Sequence, residues 1–111
     1  METTYFGAKA LVYLKYDGEI SKLAKILSDE FQLPEIYFDT DEAPPHEVFG
    51  MCETLDFELW LNKSNLFEDF NFEIQIETSM DVREGFETEL FDLSPWFAKE
   101  ISRRCKIETY F

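Results

Sequence analysis

The chain has 111 residues, of which 24 are acidic and 10 are basic, so that its formal net charge is −14. It is also 45% hydrophobic and 17% aromatic, which distinguishes it from acidic disordered tails and supplies enough apolar side chains for a core. Binding to phosphate backbones requires clustered Lys and Arg, so nucleic acid is not an expected ligand. Because unbalanced charge destabilises a compact domain, the excess indicates either a role in solubility or a basic partner.

The first predicted elements are a strand and a helix. Lys9 to Tyr16 is rich in β-forming residues with apolar side chains on both faces, as in a central strand. Apolar residues then recur at helical spacing from Glu19 to Phe31, with charged residues turned away, which predicts an amphipathic helix. Leu33 followed by Pro34 ends that helix.

The middle of the chain reads as three strands. Glu35 to Thr40 is β-prone and leads into a loop, Asp41 to His46, whose two prolines exclude both helix and ladder. Leu55 to Leu61 and Phe70 to Ile76 both alternate regularly between apolar and polar residues. We expect these two strands to be antiparallel neighbours with their apolar sides on the core.

The last part of the chain predicts a helix and a final strand. Met80 to Asp92 is interpreted as a packed loop containing a short strand. Ser94 as cap and Pro95 at the first position begin a helix that runs to about Cys105, and Lys106 to Phe111 then alternates like a strand. The order β-α-β-β-β-α-β predicts a single α+β domain over residues 1–111, with two helices on one side of a mainly antiparallel sheet of about five strands.

Residues for nucleophilic catalysis are sparse. His46 is the one histidine, and a Cys-His or Ser-His pair would need Cys52, Cys105 or a serine to converge on it together with a third, orienting group. We therefore predict that the protein is not an enzyme. Two cysteines in a chain without an export signal are expected to be free thiols rather than a disulfide.

Metal and cofactor sites are also not expected. Asp39, Asp41 and Glu42 concentrate carboxylates as Mg²⁺ or Ca²⁺ sites do, but the glycine and later Glu of a calcium loop are missing. One histidine and two separated cysteines do not make a zinc site, and the four glycines are isolated, so no phosphate loop is formed. We predict no bound cofactor and no metal.

Residues 1–7 mix polar, acidic and apolar side chains and lack the basic and apolar regions of a signal peptide. No apolar run approaches the ~18 residues that a membrane span requires. We therefore expect a cytoplasmic protein with no membrane partner.

The acidic residues cluster in the middle and late part of the chain, whereas Lys9 to Lys25 is comparatively rich in basic residues. This asymmetry favours an acidic face over evenly mixed charge. Tyr37, Phe49 and Trp60 lie beside the acids and can anchor a protein interface. The predicted partner-binding residues are Asp39, Asp41, Glu42, Asp56, Glu58, Trp60 and Glu73.

A small, acidic α+β protein without an active site resembles the immunity proteins of bacterial contact-dependent growth inhibition systems, and the resemblance lies in overall character along the whole chain. Locally, Leu27 to Tyr37 is similar to the stretch of barstar that precedes its ribonuclease-binding helix. Beyond Phe38 the pattern departs, because prolines and strands replace that helix, so no residue role is transferred.

The resemblance implies an antitoxin for bacterial competition, a stoichiometric inhibitor of the C-terminal toxin domain made by a neighbouring gene. Such toxins are often nucleases with a basic groove, onto which an acidic protein is steered rapidly. The alternative is another acidic inhibitor, or a mimic of nucleic acid that blocks a host DNA- or RNA-binding protein. Both hypotheses use the same charge.

Overall fold

Nine elements of secondary structure follow one another in a computed structural model that describes residues 5–44, 46–78 and 89–111. In chain order they are β1 (Tyr5–Lys15), α1 (Ile20–Phe31), β2 (Tyr37–Thr40), β3 (Val48–Thr54), β4 (Phe57–Lys63), β5 (Phe72–Thr78), β6 (Glu89–Asp92), α2 (Ser94–Cys105) and β7 (Glu108–Tyr110). Two helices beside a mainly antiparallel sheet confirm the predicted α+β fold.

The sheet has the strand order β2-β3-β4-β5-β1-β6, with β7 also paired to β1. The pair β1–β6 is parallel, and the other described pairs are antiparallel. Since β5 occupies one edge of the long strand β1, both β6 and β7 lie along its other edge, and α2 connects them. The sheet therefore has β2 as one outermost strand.

Residues 5–44, 46–78 and 89–111 form seven strands, where the sequence predicted about five. β6 is the short strand expected within the Met80 to Asp92 segment, of which residues 80–88 lie outside the described residues. β3 was not predicted, because its outward positions hold the apolar side chains Phe49 and Met51 while Gly50 occupies an inward one. A strand with that arrangement has no apolar alternation to detect.

Both helices pack on the same face of the sheet, as predicted. Residues of α1, α2 and the sheet form one buried cluster, which includes Leu23, Leu27 and Ile101 from the helices and Val12, Leu14, Leu59, Leu61 and Ile74 from the strands. Each helix has 12 residues, and neither described helix is long and apolar enough to cross a membrane. The opposite face of the sheet carries no described helix.

Strands β3 and β4 are joined by a two-residue turn, Leu55 and Asp56. Both residues have positive φ, 51° and 63°, as a type I′ hairpin requires. The prediction that Leu55 begins a strand and that Asp56 faces outward from it is therefore wrong. The apolar alternation continues into the turn by residue type, but Leu55 is 88% exposed rather than part of the core.

Replacing this turn by Asn-Gly should stabilise the fold. Leucine in left-handed backbone is strained, whereas Asn tolerates that conformation and Gly adopts it without a Cβ penalty. We expect Leu55→Asn with Asp56→Gly to raise the free energy of unfolding by about 1 to 2 kcal/mol, measured by urea denaturation. Leu66→Asn, which removes a leucine that is 70% exposed and has no positive φ, is the matched control and should change little.

The start of α2 differs in detail from the prediction. The helix begins at Ser94, but it is the Asp92 carboxylate that accepts hydrogen bonds from the Ser94 backbone N–H (2.9 Å) and from its hydroxyl (2.6 Å). These bonds are the main cause of the lowered pKa of Asp92. The Ser94 hydroxyl oxygen in turn accepts from the Leu11 N–H of β1 at 2.9 Å. Ser94 therefore fastens the helix to the sheet instead of capping it.

Candidate partner-binding surface

The side of the sheet away from the helices is where the outward positions of β2, β3, β4 and β5 meet. We call this surface the open face. Its residues are all half-buried or exposed, in contrast to the inward positions of the same strands, several of which are fully buried. The open face consists of Tyr37, Asp39, Phe49, Met51, Glu53, Glu58, Trp60, Asn62, Glu73, Gln75 and Glu77.

Aromatic packing covers the neighbouring part of the sheet, at β1 and β7. Phe67, from the loop between β4 and β5, lies with its ring centroid 4.9 Å from that of Tyr13 and 5.0 Å from that of Tyr110. Phe70 also contacts Tyr110, at 5.7 Å, so it belongs to this cluster and not to the start of a strand as predicted. The aromatic cluster therefore marks one border of the open face.

Trp60 lies at the centre of the open face. Across the strands its partners are Met51 on β3 and Gln75 on β5. Its ring also contacts Phe49, with 5.8 Å between the ring centroids, and Tyr37 extends the same row to the edge strand through its pairing with Met51. An aromatic and apolar stripe thus crosses the middle of the surface.

Three glutamates stand side by side next to this stripe. Glu53 pairs with Glu58, and Glu58 pairs with Glu77, so that three adjacent strands each contribute one carboxylate to what we call the glutamate row. Neighbouring strands are ~4.8 Å apart, and like charges directly opposite one another destabilise a sheet. The directly opposed Glu53 and Glu58 therefore work against the stability of the isolated fold, whereas Glu77 has Lys9 of β1 as its neighbour on the other side.

The open face is entirely acidic among its charged positions. It carries five carboxylates, those of the glutamate row with Asp39 and Glu73, and no Lys, Arg or His. Among the described residues, Asp39, Glu53, Glu58 and Glu73 form no ion pair. Glu77 differs from these four, because Lys9 of β1 is its cross-strand neighbour and the Gln75 side chain donates a hydrogen bond to its carboxylate at 3.1 Å.

Glu73 lies on β5, at the side of the open face that adjoins β1. It faces Tyr13 on one side and Asn62 on the other. Burial raises the pKa of its carboxyl above the ordinary value of 4.5, and a hydrogen bond from the Asn62 side chain partly opposes that shift. A half-buried carboxylate without a cation is therefore held in a place that favours its neutral form.

This shift predicts a pH-dependent effect of Glu73→Gln. Because the folded pKa is raised, ionised Glu73 destabilises the fold above that pKa, and the destabilisation is relieved as pH falls through it toward 4.5. We expect the variant to be more stable than the parent at pH 7, by up to about 1 kcal/mol, and the difference to shrink toward zero as pH is lowered. Urea denaturation of the parent and of the variant at several pH values measures this difference.

The structure brings four of the seven predicted partner-binding residues onto the open face: Asp39, Glu58, Trp60 and Glu73. Asp41 and Glu42 lie in the loop between β2 and β3, and Asp56 lies in the hairpin turn at the other end of β3. The seven residues of β3 span ~20 Å, so these two acidic ends are separated by the length of the surface.

Sequence reasoning did not select Glu53, Met51 or Glu77, although they adjoin Trp60 or the glutamate row. Glu53 and Met51 belong to β3, the strand that was not predicted. Glu77 follows Glu73 and Gln75 at outward spacing, and this period of two is the signal that could have identified it.

Groups for catalysis do not converge in the described part of the chain. Burial raises the pKa of the Cys52 and Cys105 thiols, whereas a nucleophilic cysteine needs a lowered pKa. Both cysteines are free, and the His46 Nδ1 lies 3.1 Å from the Asp41 carbonyl oxygen. No group of three or more His, Cys, Asp or Glu within residues 5–44, 46–78 and 89–111 is arranged to hold a metal ion.

A concavity lies on the helix side of the sheet. It has a volume of about 470 Å³ and is lined mainly by apolar side chains, among them Phe31, Leu33, Phe57, Trp96 and Phe97. It is on the face opposite to the acidic residues, and its lining includes Lys9, Gln32 and Thr54 but no carboxylate. The open face is consequently the surface on which charge and aromatic anchors coincide.

The fold and this surface define a class: an α+β protein whose sheet is covered by helices on one face and carries an acidic, aromatic surface on the other. Comparison of the chain with protein-family models, with curated proteins and with solved structures gives no match.

Proposed function

We propose that this protein is an immunity protein, which binds a basic, nuclease-type toxin domain through the open face and neutralises it by occupying its surface. The observation that carries the proposal is the placement of five carboxylates and no basic residue on the outward positions of four adjacent strands. A nuclease presents positive charge to phosphates, so this surface is complementary to it.

The proposal accounts for the cost of the glutamate row. The directly opposed carboxylates of Glu53 and Glu58 destabilise the free protein, and a basic partner would replace that repulsion by attraction. Electrostatic steering of this kind raises association rates by about 10- to 1,000-fold at low salt. Rapid capture suits protection against an incoming toxin. We propose that the two proteins meet in the cytoplasm, where nucleic acid is the toxin's target.

Aromatic residues supply the second element of a protein interface. Trp60 and Phe49 contact each other in the middle of the open face, and Tyr37 is 70% exposed at its edge. Interfaces concentrate binding energy in such central aromatic residues, with charged residues around them. The stripe would thus provide affinity, and the acids around it rate and specificity.

The size of the surface assigns a role to the predicted residues at its two ends. Three strands of seven residues and β2 with four residues cover roughly 400 Å², about half of the ~800 Å² that one partner contributes to a standard interface. The rest would come from the flanks, where Asp41, Glu42 and Asp56 lie. We propose them as the acidic rim of the same interface.

Co-expression with the toxin-like C-terminal domain encoded by the neighbouring gene tests this function. We expect rescue of growth, a stable complex, and an affinity that falls steeply with added salt. Failure of the encoded domain to bind, or binding that is indifferent to salt, would contradict the proposal. Recovery of a host DNA- or RNA-binding protein in place of a toxin would favour a mimic of nucleic acid.

A further inference from the structure

We infer that the partner places an arginine, and not a lysine, over Trp60; this inference rests on the proposed function. On the open face Trp60 has Glu58 two residues before it on the same strand, and Glu58 is flanked on both sides within the glutamate row. Trp60 is only half-buried, so part of its ring is accessible. An aromatic surface and carboxylates are therefore presented together.

Arginine is the side chain that uses both features at once. Its planar guanidinium stacks on an aromatic ring and still directs N–H donors sideways to carboxylates, and Trp is the best aromatic acceptor. The ammonium of lysine is a compact, strongly hydrated charge that pairs with carboxylates one at a time. A lysine would thus gain from the glutamate row but little from Trp60.

On the helix side of the protein, an arginine already lies over an aromatic ring and donates to a carboxylate. The Arg104 guanidinium lies over the Phe31 ring, 5.4 Å from its centroid, while its Nε donates to the Glu100 carboxylate at 3.0 Å. Carboxylate, guanidinium and aromatic ring are thereby joined within one chain. The centre of the open face holds carboxylates beside an aromatic ring, and among the described residues no arginine lies over Trp60.

Two peptides of equal length, nona-arginine and nona-lysine, test the inference in the absence of any toxin. We expect calorimetric titration at one ionic strength to give about fivefold tighter binding of the arginine peptide, the contribution of one exposed cation–π contact. Trp60→Leu keeps an apolar side chain and should remove the preference. Trp96→Leu, at an exposed tryptophan on the other side of the sheet, should leave it unchanged.

A measurement on the parent protein tests the inference even if the Trp60→Leu variant does not fold. In an NMR titration the indole N–H of Trp60 should shift more with the arginine peptide than with the lysine peptide, while that of Trp96 stays in place. Equal affinities of the two peptides, or a preference that persists in Trp60→Leu, would overturn the inference. Arginine preference without binding of the encoded toxin would instead refute the proposed function alone.

Discussion

Neutralising Asp39, Glu53, Glu58 and Glu73 together will slow association with the toxin domain by about tenfold or more at low salt. The change D39N/E53Q/E58Q/E73Q removes four of the five carboxylates from the open face. Steering depends on the local field of the interface, which these residues would dominate. Stopped-flow mixing at two salt concentrations gives the rate constants, and their dependence on salt should weaken in the variant.

A variant with the same total charge separates this local effect from a general one. D17N/D29N/E30Q/E35Q neutralises four exposed acids in α1 and the loops beside it, and both variants change the net charge from −14 to −10. The second variant should associate almost as fast as the parent. If both variants slow association equally, the overall charge and not the open face determines the rate, and the proposed interface is wrong.

Loss of folding is not an alternative explanation for the first variant. Removing Glu53 and Glu58 as charges relieves the repulsion between directly paired strand positions, and Glu73→Gln relieves a half-buried carboxylate. The variant should therefore be at least as stable as the parent. A urea denaturation curve of each variant checks this before any binding is measured.

The second large effect is expected in the core, at Leu61→Ala. Leu61 is fully buried on the inward side of β4, where it pairs with Ile74 and belongs to the cluster that joins the sheet to α1 and α2. Truncation loses the transfer free energy of the side chain and leaves a cavity, which together should cost about 3 kcal/mol. Urea denaturation measures the difference.

Leu66→Ala is the control for that truncation, since the same side chain is removed from a leucine that is 70% exposed. Its effect should remain within about 0.5 kcal/mol of zero. A similar loss in both variants would mean that Leu61 is not a central core residue. Trp60 is the residue before Leu61 on β4, and its side chain lies on the opposite side of the sheet. Leu61→Ala therefore also tests whether the open face needs a firmly packed β4.

The periodic elements of the fold could be predicted from sequence because their two faces meet different environments. Ile20–Phe31 has a buried and an exposed side, and the strands around Leu59 and Ile74 alternate accordingly. β3 could not be found in this way. Its outward side chains Phe49 and Met51 are apolar because they belong to the open face, so the departure from a simple pattern coincides with the candidate site.

The candidate site could be only partly predicted from the sequence, for a related reason. Composition indicates an acidic partner-binding surface, and alternation identifies Glu58, Trp60 and Glu73 as outward residues of their strands. Which residues stand next to one another depends on strand register, and the register of β3 against β4 follows from the two-residue turn at Leu55 and Asp56. That turn lacks the Asn-Gly signal, so the neighbours of Trp60 could not be derived.

The glutamate row gives dissolved ions two opposite effects on this protein. In the free molecule, counterions screen the repulsion among Glu53, Glu58 and Glu77, so moderate ionic strength should raise the melting temperature. In the complex, the same ions screen the attraction to the partner. The increase in melting temperature that the partner produces should therefore shrink as ionic strength rises, because the melting temperature of the free protein increases and that of the complex decreases.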